Sequence, residues 1–141
     1  MILSHHDYRW ALLGLVLILT TLFIQWIFAT VSKGRLPNAI PGKIPQDLGH
    51  ESFVYRANRT YMNTLENISF MLGSSFVAIF AGVDAFWLAL CIWIFAIARI
   101  MHMLLYYVIA TEKNPSPRSY FFILGLFSNV FLLGLAFVKI L

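Results

Sequence analysis

The stretch RTYMNTLENISFMLGSSFVAIFAGV (Arg59 to Val83) joins a polar segment to an apolar one with no proline or glycine at the junction. The apolar part, residues 68–83, is shorter than the roughly 20 residues that a helix needs to cross a bilayer. We therefore expect the helix to begin earlier. It then carries Asn63 and Glu66 towards the membrane.

The composition indicates an integral membrane protein. Hydrophobic residues make up 60% of the 141 residues, aromatic residues 16% and charged residues 11%, which lies far from the average of soluble proteins. At this length, four spans with short connections use most of the chain. The predicted fold class is an all-α four-transmembrane-helix bundle, in a single membrane domain of residues 1–141.

The spans are predicted at about 8–31, 62–83, 85–110 and 119–138. Only a tight turn near Gly82 to Asp84 separates the second from the third, so these two should form an antiparallel hairpin. A loop rich in proline and glycine follows the first span. The start of the chain lacks the positive region of a cleavable signal, so we expect the first span to be retained.

Basic residues are concentrated in the two longer connections: Lys33, Arg35, Lys43, Arg56, Arg59, Lys113 and Arg118. The opposite side has Arg9 and Lys139. By the positive-inside rule, both connections are predicted to be cytoplasmic and both termini to lie on the opposite side.

Polar side chains form one stripe at the start of the second span. Arg59, Asn63 and Glu66 are spaced i, i+4 and i+7, which places them on one helix face. A carboxylate deep in a bilayer costs about 2.5 to 3.5 kcal/mol on insertion scales. Glu66 should therefore have a partner.

The third span has a matching stripe of Arg99, His102 and Tyr106, spaced i, i+3 and i+7. Arg99 and Glu66 each lie about 10 Å inward from the polar end of their helices, so we expect them to pair. The pair has two interpretations, a link between helices or part of a site.

The other polar residues of these stripes favour a site. Arg59, Asn63, His102 and Tyr106 remain at the aqueous end, and Arg118 begins the fourth span beside them. A positively charged pocket walled by membrane helices suits a water-soluble anion that meets an apolar partner from the bilayer.

Three segments resemble the MAPEG family, membrane-associated proteins in eicosanoid and glutathione metabolism. They are RANRTYMNTLEN (residues 56–67), ARIMHMLLYY (98–107) and SPRSY (116–120). The resemblance extends to the four-span outline. It implies a homotrimer of four-helix subunits that binds glutathione in a cleft between neighbouring subunits.

The resemblance also implies roles for individual residues. Arg59, Asn63 and Glu66 match family residues that hold glutathione, with Glu66 at its γ-glutamyl amine, and Tyr106 matches a tyrosine that lines the cleft. Arg118, the fifth residue of this cofactor-binding set, is considered with Ser119 below. Thr60 departs from the usual alanine after the arginine.

Arg118 and Ser119 resemble an Arg-Ser pair of the prostaglandin-synthase-like members, in which the arginine lies next to the thiol of glutathione. Arg99 and His102 match residues of structural character. Asp47 has two interpretations, a solvated loop acid or a loop proton carrier.

The chemistry of these groups also favours a glutathione site. A free thiol has a pKa of about 8.5, and an adjacent cation lowers it by about 1 to 3 units. Arg118 is therefore a candidate to stabilise the thiolate. Ser119 either donates a hydrogen bond to the sulfur or caps the fourth span, and Tyr106 is the alternative thiolate donor.

The predicted function is a glutathione transferase or peroxidase that acts on lipophilic electrophiles or hydroperoxides entering from membrane lipid. A prostaglandin E synthase-like isomerase and a non-catalytic lipid-binding protein of the same fold are the alternatives. No nucleic-acid motif and no zinc spacing appears, and His5 and His6 lack a third ligand. Cys91 is predicted to be core packing.

Overall fold

The computed structural model describes residues 8–141, so that His5 and His6 lie outside the described residues. Four helices make up the fold in chain order: α1 (Arg9–Gly34), α2 (Phe53–Ala81), α3 (Ala85–Val108) and α4 (Pro117–Ile140). Each is long and apolar enough to cross a membrane. The predicted all-α four-helix membrane bundle is thus confirmed.

Helix α2 begins at Phe53, well before the apolar run, and continues unbroken through Asn63 and Glu66 to Ala81. The polar stripe is therefore helical along its full length. Helix α3 ends at Val108 rather than near residue 110, because Ile109 has extended backbone at the start of the polar connection.

The turn between α2 and α3 is as tight as its sequence predicts. Gly82 ends α2 at φ 74°, in the left-handed region that favours glycine. The Val83 amide donates to the Ala78 carbonyl at 2.9 Å. The Asp84 carboxylate accepts from the Phe86 amide at 2.9 Å and so caps α3.

Helices α2 and α3 form the centre of the bundle. Each of them packs on the other and on both outer helices, whereas the described parts of α1 and α4 do not contact each other. The core between them is fully buried and includes Ile18, Met71, Leu88 and Phe95. Helix α1 approaches α3 closely at Gly14, where an added Cβ would lie 2.6 Å from Ile92.

The outward faces of the helices are apolar. Phe70, Phe76 and Phe80 on α2 are 65–70% exposed, and the other helices have comparable faces. Such surfaces are suited to contact with lipid or with a neighbouring subunit, because exposure of a large apolar surface to water is unfavourable.

Arg56 fixes the end of the first loop against the bundle. Its Nη1 donates to the carbonyls of His50 and Glu51 at 2.5 and 2.8 Å, and its Nη2 donates to the Tyr107 carbonyl at 3.3 Å. The loop therefore returns to the end of α3, close to the polar stripes of α2 and α3.

Candidate functional site

A cavity of about 600 Å³ lies between α2, α3 and α4, at the end of the bundle where the two longer connections meet. Its walls are formed by Arg59, Asn63, His102, Tyr106, Asn114, Arg118, Ser119, Phe122 and Ile123. Most of these side chains are polar, and the last two are apolar and belong to a membrane helix. Two other cavities, of about 480 Å³ each, contain none of the predicted site residues.

The structure brings together five of the six predicted site residues at this cavity: Arg59, Asn63, Tyr106, Arg118 and Ser119. Glu66 is the exception. It lies on the exposed face of α2 and lines no wall of the cavity within the single chain.

Arg99 pairs with Asn63 rather than with Glu66. Its Nη1 donates to the Asn63 Oδ1 at 2.9 Å, and within residues 8–141 no salt bridge joins Glu66 to Arg99. The expected pair was therefore wrong. Three residues advance a helix by about 300°, so residues 63 and 66 diverge by about 60° around its axis. When Asn63 faces α3, Glu66 faces outward.

The buried Arg99 guanidinium lies between two aromatic rings. It is 1% exposed, and its central carbon lies 5.5 Å from the Phe95 ring centre and 5.4 Å from that of Phe122. Such cation–π contacts stabilise a desolvated cation. Gly125 leaves room for the group, because an added Cβ would lie 3.2 Å from Nη2.

The Arg118 guanidinium lies over the Tyr106 ring, with its central carbon 4.0 Å from the ring centre. Its Nη2 donates to the Thr111 carbonyl at 3.0 Å. Its Nη1 is buried and has no hydrogen-bond partner in the described chain. The guanidinium is thus held by one nitrogen and retains a donor for an anion.

Ser119 has a structural bond as well as a place in the cavity wall. Its Oγ accepts from the Ser116 amide at 3.1 Å and lies 3.2 Å from the Ser116 Oγ. These bonds form a capping box in which Ser116, and not Ser119, is the N-cap of α4. When the Ser116 hydroxyl is the donor between the two Oγ atoms, the hydroxyl proton of Ser119 is available to another acceptor.

His50 belongs to no sequence motif, yet its ring lies against Tyr106 and Arg118. Its Nε2 is 3.1 Å from the Tyr106 Oη and 3.3 Å from the Arg118 Nη2. Its Nδ1 is 3.6 Å from the Glu112 Oε1. Helical spacing, which indicates the other residues of the cavity, cannot indicate a single histidine in an irregular loop. The acid of the same loop, Asp47, is exposed and lies outside the cavity wall.

The charge of the cavity wall is positive. Arg59 and Arg118 contribute to it directly, and no carboxylate is among the residues that line it. Buried Arg99 adds a third cation next to Asn63. A concave site with charges of one sign attracts an anion of the other sign.

Comparison with known proteins gives one match. The model of the MAPEG family matches residues 11–138, which is nearly the whole chain. No curated protein and no solved structure was found to match. The four membrane-length helices agree with this match. The chain is therefore an integral multi-pass membrane protein that belongs to the MAPEG family.

Proposed function

We propose that the protein is a glutathione-dependent membrane enzyme of the transferase or peroxidase type. The observation that carries the proposal is the Arg118 guanidinium, which lies over the Tyr106 ring in a cationic cavity and whose Nη1 has no partner within the described residues. Membership of the family supports the choice of cofactor.

The cavity suits a peptide-sized anion. Ligand sites usually have volumes of about 300 to 1,000 Å³, and this one has about 600 Å³. Glutathione has two carboxylates, and Arg59 on α2 is the second cation of the cavity wall beside Arg118 on α4. The Asn63 amide adds a donor, because its Oδ1 accepts from Arg99 and its NH₂ group remains free for the peptide.

Arg118 and Ser119 are the proposed catalytic residues. Bound glutathione supplies a nucleophilic thiol. The fixed positive charge of Arg118 lowers the pKa of that thiol, because the thiolate is the charged form that the guanidinium stabilises. An arginine keeps its charge in a partly dry site, which a lysine does less reliably.

The lipophilic substrate is proposed to enter from the membrane side of α4. Phe122 and Ile123 line the cavity, and Ile123 is 44% exposed on the outward face of the bundle. Lipophilic electrophiles or hydroperoxides dissolved in the bilayer therefore have an apolar path to the polar wall.

A neighbouring subunit completes the proposed site. Arg59 and Glu66 lie on an exposed face of α2 in the single chain. A carboxylate that faces lipid is unfavourable, so this face needs a protein or ligand cover. A homotrimer, as in the resemblance, provides that cover and brings Glu66 into a cleft with the amine of glutathione. The basic residues of the two longer connections support a cytoplasmic position for this end of the bundle, by the positive-inside rule.

An isomerase of the prostaglandin E synthase type is the second candidate, because Ser119 lines the cavity directly beside Arg118. A hydroxyl next to the activated thiol provides a proton donor to an oxygen of the substrate. A non-catalytic lipid-binding role does not require the arrangement of Arg118 over Tyr106.

Activity assays test the proposal. The purified protein is assayed with an aryl halide and an organic hydroperoxide, with and without glutathione. We expect turnover only with glutathione, and a loss of at least severalfold in the rate of Arg118→Ala at pH 7. Lys113→Ala is the matched control, since Lys113 lies on the same connection and does not line the cavity. If the protein shows no turnover and no calorimetric binding of glutathione, the proposed function is excluded.

A further inference from the structure

His50 contacts two residues of the cavity wall, Tyr106 and Arg118, without lining the cavity itself. The ring does not line the cavity, but its Nε2 lies within 3.3 Å of both the Arg118 Nη2 and the Tyr106 Oη. The ring also stacks on Tyr106, with centres 5.9 Å apart. His50 therefore contacts both members of the cation–π pair.

The hydrogen-bond partners define which nitrogen of His50 carries the proton. A guanidinium can only donate, so a hydrogen bond from the Arg118 Nη2 requires the His50 Nε2 to accept and to carry no hydrogen, and the Tyr106 hydroxyl, 3.1 Å from the same nitrogen, can donate to it as well. The proton of the neutral ring then lies on Nδ1, which faces the Glu112 carboxylate at 3.6 Å. Two neighbours of opposite charge thus select one tautomer.

The backbone of His50 is held independently of Arg118. The Arg56 guanidinium donates to the His50 carbonyl at 2.5 Å. The Tyr55 ring packs edge-on against the imidazole, with centres 5.0 Å apart. The titratable and charged residues around the ring are Tyr55 and Arg56 from α2, Tyr106 from α3, Arg118 from α4 and Glu112 from the α3–α4 connection.

We propose that His50 is a positioning residue: its neutral imidazole holds the Arg118 guanidinium over the Tyr106 ring, and its protonation releases the guanidinium. A second proton would place an N–H of a cationic ring against an N–H of Arg118. Arg118 would then lose an acceptor and gain a like-charged neighbour. Imidazole is the side chain that changes charge between about pH 8 and pH 5, so the orientation of Arg118 is controlled by pH over that range.

The tautomer is tested first, without any ligand. Nuclear magnetic resonance of protein with isotope-labelled histidine separates the two neutral forms by their ring nitrogen and carbon shifts. The His50 signal is the one absent from His50→Gln. We expect the Nδ1–H form at pH 8. The Nε2–H form at that pH would overturn the proposal.

The consequence for the site rests on the proposed function, and glutathione sulfonate measures it. This analogue keeps one fixed negative charge in place of the thiol between pH 5 and 8, so any change in its affinity comes from the protein. Calorimetry on the parent protein should show weaker binding towards pH 5, by at least severalfold. A flat profile in the parent protein would overturn the proposal.

Two substitutions at His50 separate positioning from a purely structural role. His50→Gln retains an oxygen that can accept from Arg118 and cannot titrate, so its affinity should stay near the parent value of pH 8 at every pH. His50→Leu removes the acceptor, so its affinity should be low at every pH. A pH step that persists in His50→Gln would contradict the proposal.

Glu112→Gln tests the other neighbour. The carboxylate stabilises the protonated ring, so its removal should move the pH step to lower pH. Asp84→Asn removes the same charge at the turn between α2 and α3, far from the ion pair, and should leave the step unchanged. Absence of binding at all pH values would count against the proposed function alone, and the tautomer would still decide the role of His50.

Discussion

Arg118 combines two features: its guanidinium lies over the Tyr106 ring, and its Nη1 has no hydrogen-bond partner among residues 8–141. If it stabilises the thiolate of bound glutathione, Arg118→Ala should raise the pKa of that thiol by one unit or more. Each unit corresponds to about 1.4 kcal/mol, so the rate at pH 7 should fall at least severalfold while glutathione affinity changes less. Ultraviolet absorbance of the thiolate, followed against pH, measures the shift.

Arg118→Lys is the matched variant and should restore the thiolate only in part, since an ammonium lacks the planar face that stacks on Tyr106. An unchanged titration in Arg118→Ala would assign the activation to Tyr106 or Arg59.

Ser119 distinguishes the two chemistries. Ser119→Ala should leave most of the rate of a transferase and remove much of the rate of an isomerase. It also breaks the capping box, so stability should fall by about 0.5 to 2 kcal/mol. Ser116→Ala is the control, because it removes the cap from a residue that does not line the cavity. Equal rates for both variants would make Ser119 a capping residue only.

At this scale, residue spacing predicted part of the site. The intervals along α2 and α3 correctly place Asn63 and Tyr106 at one cavity with Arg118. They failed for the partner of Arg99, because a stripe of i, i+4 and i+7 covers a wide arc and only part of it faces α3. These intervals could not predict the place of His50, because its position depends on the hydrogen bonds that Arg56 donates to an irregular loop.

The contact between α3 and α4 depends on a small residue beside Arg99. In Gly125→Ala, the new methyl group would lie 3.2 Å from the Arg99 Nη2 and 3.5 Å from Phe95, so the guanidinium must shift. Such overpacking costs about 1 to 3 kcal/mol. We expect a lower thermal unfolding temperature in detergent. Gly134→Ala is the control, because nothing lies within 4 Å of its added Cβ and alanine favours a helix.

If both glycine variants unfold at the parent temperature, the α3–α4 interface adjusts without cost. The packing of Arg99 between Phe95 and Phe122 would then not limit how closely these helices approach.

The helices themselves were easier to predict than their ends. Long apolar runs identify four spans because lipid requires every backbone bond to be satisfied within the helix. Helix α2 extends back to Phe53 into polar sequence, where hydropathy has no signal. Helix α4 begins at Pro117 with Ser116 as its cap, two residues before the predicted span at about 119, because capping chemistry sets the start of a helix.

For the whole molecule, Glu66 separates a role in binding from a role in folding. It pairs with no arginine in the described chain, so Glu66→Gln should leave the unfolding temperature of the protein unchanged. Under the proposed function it should weaken glutathione binding severalfold, because the amine of the ligand loses its counter-charge. Calorimetry and thermal unfolding measure the two effects. A large loss of stability would show that Glu66 holds the assembly together.

Assembly state is the second test at this scale. Native mass measurement in mild detergent should give a homotrimer. Glutathione at one hundred times its dissociation constant should stabilise the protein by about 2.7 kcal/mol. A monomer that still binds glutathione would contradict a site shared between subunits.

Helix α1 stands apart from both α4 and the cavity, to which it contributes no residue. Its 26 residues extend about 39 Å, which exceeds a hydrocarbon core of about 30 Å. The surplus has to be absorbed by tilt or by protrusion into the headgroups. Substitutions along its outward face can therefore match the protein to a thinner or thicker membrane while the cavity walls keep their geometry. Under the proposed function, α1 therefore adjusts the protein to the bilayer, while the residues that bind and activate glutathione lie on α2, α3 and α4.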